Sequence, residues 1–164
     1  MIIREVEEQD AEAFLKLLCE VDESNNMLFS PGERKTTVEK QRNIIIKFKN
    51  DPRSAFFVAE RNDELLGYIG IFAGDLQRNK HIGRIVIGVS EHSRGMGIGT
   101  KLFQKVFKWI QGKHFTRLEL TVIETNETAI KLYEKMGFIK EGMRIDSLNI
   151  DGRFVDEWSM YKKI

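Results

Sequence analysis

Three alternating glycines, Gly95, Gly97 and Gly99, separate a stretch rich in Ile and Val from a strongly amphipathic helical stretch. Glycine lacks a Cβ atom, so the backbone here can turn sharply and can approach a ligand closely. The first N–H groups of the helix that follows point back into the same turn, where they favour an anion. The pattern therefore predicts a strand–turn–helix unit with a diphosphate-binding loop at its centre.

The rest of the chain alternates between helical and strand-like hydrophobic periods. Helices are predicted after Asp10, which is placed to cap the first of them, and over 36–48, 98–113 and 128–136. Strands are predicted over 2–6, 55–61, 65–73, 81–89, 117–123, 143–150 and 154–161. The turn pairs Asn62-Asp63 and Asp151-Gly152 indicate two hairpins. This order predicts a mixed α/β (α+β) sheet flanked by helices, in a single domain over residues 1–164.

Charge and composition exclude several functional classes. The chain carries 26 basic and 25 acidic side chains, a net charge of +1, which gives no bulk electrostatic reason to bind nucleic acid or membranes. No apolar run approaches the roughly 20 residues of a membrane span. A single cysteine, Cys19, excludes an internal disulfide and fits a cytoplasmic protein. No His/Cys/Asp cluster has metal-ligand spacing, so no catalytic metal is expected.

Spacing separates three nucleotide-binding interpretations of the loop 94–99. A Walker loop needs Lys and then Ser or Thr directly after its last glycine, whereas Gly99 is followed by Thr100-Lys101. A Rossmann turn needs Gly-x-Gly-x-x-Gly within a βαβ repeat, which the upstream elements do not form. The acyl-CoA diphosphate pattern, Arg/Gln-x-x-Gly-x-Gly/Ala, matches Arg94, Gly97 and Gly99 without a gap. A plain glycine-rich turn is the structural alternative.

With these segments in view, the chain resembles the GNAT superfamily of N-acetyltransferases over nearly its whole length. A strand at 85–89 leads into the loop Arg94-Gly95-Met96-Gly97-Ile98-Gly99-Thr100. A second strand follows at 118–122, and the pattern Asn-x-x-Ala-x-x-Leu-Tyr-x-x-x-Gly-Phe occupies 126–138. This combination in this order is highly specific. The tail, from Glu141-Gly142 to Met160, is similar to the branch that acetylates amino acids, amino-acid-like compounds and protein N-terminal residues.

The resemblance implies a mostly antiparallel sheet in which two neighbouring strands splay apart to form a cleft for acetyl-CoA. One of these strands would hydrogen-bond the pantetheine arm, the loop would hold the diphosphate, Asn126 would reach the cofactor from the far side, and Tyr133 would stand near the thioester sulfur. The implied cofactor-binding residues are Ile87, Gly88, Val89, Arg94, Gly95, Met96, Gly97, Ile98, Gly99, Thr100, Asn126 and Tyr133.

Acetyl transfer to an amine requires a proton acceptor, an oxyanion donor and a proton donor. Amines have a pKa from about 8 to about 10.4, so most are protonated at pH 7 and must lose a proton before attack. A strand N–H near Val89 is placed to stabilise the oxyanion. Tyr133 is a plausible general acid for the leaving thiolate. Aromatic packing on the sheet is the structural alternative for the same side chain.

The general base is less well marked. Some relatives carry an acidic residue on the strand before the loop, but the charged interior residue of that strand here is Arg84. Glu119 on the neighbouring strand is the predicted base, and Glu91, just past the strand end, is a second candidate. A water chain that meets a partly neutral amine is an equal alternative.

We expect the amine substrate, which accepts the acetyl group, to be selected by segments 21–40 and 143–154, because both could overhang the cleft. The sequence thus predicts an acetyl-CoA-dependent N-acetyltransferase acting on a primary amine, in a small amino-acid-like compound or a protein N-terminus. Transfer would occur by direct attack in a ternary complex. The alternatives are a non-catalytic acyl-CoA sensor and an acyltransferase that uses another acyl-CoA. Analogy also allows a homodimer.

Overall fold

The computed structural model describes residues 1–164, with the element order predicted from the sequence. Its helices and strands are β1 (Ile2–Glu5), α1 (Ala11–Asp22), α2 (Val38–Lys49), β2 (Ala55–Arg61), β3 (Glu64–Ala73), β4 (Ile82–Val89), α3 (Ile98–Trp109), β5 (Arg117–Ile123), α4 (Glu127–Lys135), β6 (Ile139–Ile150) and β7 (Arg153–Lys163). Two 3-10 turns lie at Glu8–Asp10 and Glu91–Ser93. Two boundaries differ most from expectation, since α3 ends at Trp109 rather than residue 113 and β6 begins at Ile139 rather than residue 143.

Local sequence signals explain several element ends. Thr37 caps α2, its hydroxyl accepting the Lys40 N–H at 3.2 Å. Asp10 is the N-cap residue of α1, as predicted, but its side chain makes no capping hydrogen bond to that helix. Its carboxylate instead accepts the Glu7 N–H at 2.7 Å in the preceding 3-10 turn and binds both terminal nitrogens of Arg4. The Arg4 guanidinium holds the pKa of Asp10 below its usual value.

The seven strands form one sheet in the order β1-β2-β3-β4-β5-β7-β6. Every neighbouring pair is antiparallel except β4 and β5, which run parallel. In the β2–β3 hairpin both turn residues, Asn62 and Asp63, have positive φ, of 52° and 62°. This is the conformation that a two-residue hairpin turn of the predicted type requires. The predicted mixed, mostly antiparallel sheet is confirmed.

Helices cover both faces of the sheet. A core cluster of 20 buried residues, including Phe103 of α3 and Tyr133 of α4, fills one face. A cluster of 10, including Phe14 of α1 and Ile45 of α2, fills the other. We call these the α3/α4 face and the α1/α2 face. None of the helices is both long and apolar enough to cross a bilayer.

Candidate active site

The pairing between β4 and β5 stops partway along both strands. Only three residue pairs connect them, Ile82–Arg117, Gly83–Leu118 and Arg84–Glu119. Beyond this point β4 stays paired with β3 as far as Val89, and β5 stays paired with β7 as far as Ile123. A gap therefore opens between the carboxyl ends of the two strands, as the family resemblance implied.

Hydrogen-bond alternation shows which β4 residues face the gap. The Ser90 N–H donates to the Leu66 carbonyl at 2.9 Å, and the Gly74 N–H donates to the Ile82 carbonyl at 3.1 Å. In an antiparallel pair, hydrogen-bonded positions recur at every second residue. The even-numbered residues of β4 therefore bond to β3. Ile87 and Val89 direct their N–H and C=O groups into the gap, where an extended ligand can bind as an additional strand.

Gly88, between these two residues, has a packing role. Because it belongs to the even-numbered set, its backbone groups pair with Tyr68 of β3. A Cβ atom at this position would lie 2.6 Å from Val21 Cγ1 and 2.7 Å from Tyr68 Cε1. The glycine thus lets the end of α1 approach the strand on the α1/α2 face.

The glycine-rich loop leads from β4 to the start of α3. Gly95 and Gly97 have φ of 78° and 73°, and a Cβ atom on either would meet nothing within 4 Å. No side chain caps α3, and its first turn holds no acidic residue. The N–H groups of Ile98, Gly99 and Thr100, which begin the helix, are therefore placed to bind an anion. Exposed Arg94 at the start of the loop adds a positive charge, and exposed Met96 lies at its tip.

Gly99 differs from the other two loop glycines. A Cβ atom at this position would lie 2.6 Å from Leu132 Cδ2, and Gly99 does not have positive φ. Its lack of a side chain lets α3 pack closely against α4. Of the three alternating glycines, only Gly95 and Gly97 leave open space beside the backbone.

Tyr133 is packed among aromatic rings on the α3/α4 face, and its role as general acid remains a prediction. Its side chain is 7% exposed, and its ring packs edge-on against Phe103 with centroids 5.9 Å apart. Burial raises the pKa of the phenol well above its usual value, so the group keeps its proton at neutral pH. The hydroxyl has no hydrogen-bond partner in the protein and is not sealed from solvent. It can therefore donate a proton.

Asn126 and Glu119 both have polar partners within the protein. The Asn126 side-chain oxygen accepts the Ala129 N–H at 3.3 Å, which caps α4. Glu119 lies at the last paired position before the gap opens. Its two carboxylate oxygens accept from Arg84 and Arg117, each at 3.2 Å. Its role as base remains a prediction, and this double ion pairing does not favour it. Glu91, the second candidate, is exposed in the 3-10 turn after β4.

A cavity of about 510 Å³ lies where the two expected acceptor segments meet. It is lined by the loop after α1, the end of β5 and the β6–β7 hairpin. The lining residues are Ser24, Asn25, Asn26, Ile123, Thr125, Ile150, Asp151, Arg153 and Val155. The structure thus brings segments 21–40 and 143–154 together at the open end of the gap.

The loop after α1 is anchored by a buried ion pair that the sequence did not reveal. Asp22 is 1% exposed, and its carboxylate accepts from Arg34 Nε at 2.7 Å. The Arg34 guanidinium also stacks over the Phe29 ring, 4.1 Å from its centroid. Tyr68 lies within electrostatic range of this pair and of Tyr133, and burial raises its pKa above the usual value. These contacts fix one wall of the cavity.

Comparison with known proteins identifies the family. Residues 12–138 match the acetyltransferase (GNAT) family. The chain belongs to this family. It is accordingly an acetyl-CoA-dependent N-acetyltransferase.

Individual GNAT proteins can be aligned with nearly the whole chain. A GNAT-family acetyltransferase from Streptococcus pneumoniae is 28% identical, with a TM-score of 0.95 over 99% of both chains. The L-amino acid N-acetyltransferase AaaT of Escherichia coli is 24% identical over 98% of this chain and 96% of its own length. The ribosomal-protein-alanine N-acetyltransferase of Brucella melitensis shares the fold, with 23% identity and a TM-score of 0.88 over 100% of both chains.

The residues present fit acetyl-CoA. The open space beside Gly95 and Gly97, together with the uncapped start of α3, suits a diphosphate. The unpaired edge of β4 suits an extended arm that carries amide groups, since backbone donors and acceptors there have no strand partner.

Gly97→Ala should weaken acetyl-CoA binding about tenfold, because the substitution strains the loop that carries the anion-binding N–H groups. Gly112→Ala is the matched control. Gly112 has nearly the same φ, 75°, and the same open surroundings, but it lies beyond the other end of α3. Both variants should lose about 1–2 kcal/mol of stability from the left-handed backbone. Calorimetric titration with acetyl-CoA separates them, and equal affinities in the two variants would contradict the loop assignment.

Proposed function

We propose that the protein transfers the acetyl group of acetyl-CoA to the primary amine of a small amino-acid-like compound or a protein N-terminal residue. Transfer occurs by direct attack of the amine within a ternary complex. The observation that carries this proposal is the gap between β4 and β5. The glycine-rich loop enters it from the α3 side, and the 510 Å³ cavity opens on its other side, beside Ile123. Donor and acceptor can therefore meet without displacing each other.

The donor would be held along β4 and at the start of α3. The N–H groups of Ile98, Gly99 and Thr100 would bind the diphosphate, with Arg94 adding charge. The inward N–H and C=O of Ile87 and the inward C=O of Val89 would pair with the amides of the pantetheine arm. Met96 and Asn126 would contact the donor from the loop tip and from the start of α4.

Two groups would act on the reacting atoms. The Val89 N–H, which faces the gap, would donate to the carbonyl oxygen as negative charge develops on it. The Tyr133 hydroxyl, which is protonated at neutral pH and has no hydrogen-bond partner in the protein, would donate its proton to the departing sulfur.

The cavity chemistry supports an acceptor that carries both an amine and a carbonyl or carboxylate group. Arg153 can bind a carboxylate, Asp151 can attract an ammonium group, and the loop residues Ser24 to Asn26 offer neutral hydrogen-bonding groups. Free amino acids and protein N-termini both have this arrangement. The names of the Escherichia coli relative and the Brucella melitensis neighbour agree with these two classes.

A thiol-release assay with matched acceptors tests the proposal. Each L-amino acid is compared with its carboxamide, with a short peptide that begins with the same residue, and with spermidine. We expect release of CoA thiol with at least one acceptor of the amino-acid or peptide class and less with spermidine. Tight acetyl-CoA binding without release from any acceptor would instead favour the acyl-CoA sensor. Release with another acyl-CoA alone would favour a different acyl donor.

Tyr133→Phe should lower kcat by about 10²-fold or more, because a positioned general acid typically contributes 10²–10⁴. Acetyl-CoA affinity should be unchanged, since the ring and its packing remain. Tyr161→Phe is the control, as Tyr161 lies opposite Glu119 at the closed end of the sheet. Steady-state kinetics with the best acceptor gives the comparison. Similar kcat values for Tyr133→Phe and wild type would contradict the acid assignment.

A further inference from the structure

Three carboxylates are buried in the fold, and they differ in how many of their oxygens have a hydrogen-bonding or ionic partner in the protein. Asp10 and Asp22 are each held through both oxygens by one arginine, Arg4 and Arg34. Glu157 is 8% exposed and is held only through Oε2. That oxygen accepts from the Ser147 hydroxyl and pairs with Arg144 at 3.5 Å.

The other carboxylate oxygen of Glu157, Oε1, has no hydrogen-bond partner within the protein. It is also not sealed from solvent, since the Ser90 hydroxyl is the one fully enclosed side-chain polar atom without a partner. An unpaired oxygen on a buried carboxylate is costly unless water or a ligand satisfies it. Among the three buried carboxylates, Glu157 is therefore the one with a free acceptor atom.

Glu157 lies beside the acceptor cavity. It is opposite Ile123 in the β5–β7 register, and Val155 precedes it by two positions on the same face of β7. Ile123 and Val155 both line the cavity. Ile123 is also the last residue of β5, where the gap is open. Glu157 is thus the direct neighbour of two residues that border the space assigned to the amine.

Glu119, the base predicted from the sequence, lies farther from the cavity than Glu157 does, and neither of its carboxylate oxygens is free. It precedes Ile123 by four residues on β5, a distance of about 13 Å along an extended strand. Both of its oxygens are already bound by arginines.

We propose that Glu157 is the proton acceptor for the attacking amine, directly or through one water molecule. This role rests on the function proposed above. The ammonium form of the acceptor gives one proton to Glu157 Oε1, and the neutral nitrogen then forms the C–N bond as the C–S bond breaks. The sulfur takes a proton from Tyr133, and the second proton lost by the nitrogen restores the phenol through solvent. Glu157 finally releases its proton to water, so that one proton is released per turnover.

Ser147 and Arg144 act as positioning residues. Both engage Oε2 and so hold the carboxylate in place while Oε1 stays free to accept a proton.

The test is the pH profile of kcat/KM for Glu157→Gln in the full-length protein, with the best amine from the thiol-release assay. We expect a loss of about 10²-fold or more at pH 7. The loss should shrink as the pH approaches the pKa of the amine itself, because the acceptor then arrives neutral without a base. Acetyl-CoA affinity should not change. Glu141→Gln, an exposed ion-paired glutamate on the neighbouring strand β6, should behave as wild type.

Glu157→Asp is a second variant, which keeps the test valid if Glu157→Gln does not fold. It keeps the carboxylate on a shorter side chain, so it should retain partial activity and the wild-type shape of the pH profile. Wild-type rates in Glu157→Gln, or a loss that is the same at every pH, would overturn the role of Glu157 while leaving the proposed function intact. A wild-type protein that acetylates no amine would contradict the proposed function and the role of Glu157 together.

Discussion

The loss of pairing between β4 and β5 after Arg84 and Glu119 is the constraint on which the rest of the site depends. Each strand keeps its other neighbour, so the gap has two walls that are fixed by complete antiparallel ladders. Unpaired backbone groups inside a protein are unfavourable unless something satisfies them. A ligand that carries amides can do so along β4, which makes the donor site a consequence of sheet topology.

The chemistry then follows from what surrounds this gap. On the α3/α4 face, Tyr133 is buried among aromatic rings and is protonated at neutral pH. On the α1/α2 face, Glu157 presents a free carboxylate oxygen beside a polar cavity. The two groups to which we assign opposite proton-transfer roles thus lie on opposite faces of the sheet. The ion pair between Asp22 and Arg34 holds the loop that closes the acceptor side.

Local patterns allowed much of this to be predicted from the sequence. The element order, the glycine loop and the helix that carries Tyr133 depend on neighbouring residues and were recognisable. The separate role of Gly99 depends on Leu132, a distant residue that the loop pattern does not include. Glu157 was missed for a similar reason. Its position beside Ile123 exists only through the β5–β7 register, and nothing in its local sequence marks it.

We propose that acetyl-CoA binds as an added strand on the inward groups of β4. Residue-resolved amide hydrogen exchange, measured by NMR with and without acetyl-CoA, would reveal this binding mode. We expect the N–H groups of Ile87 and Val89 to exchange readily in the free protein and to become protected on binding. Val86 and Gly88, already paired with β3, should be protected in both states. Unchanged exchange at Ile87 and Val89 in the presence of saturating acetyl-CoA would contradict it.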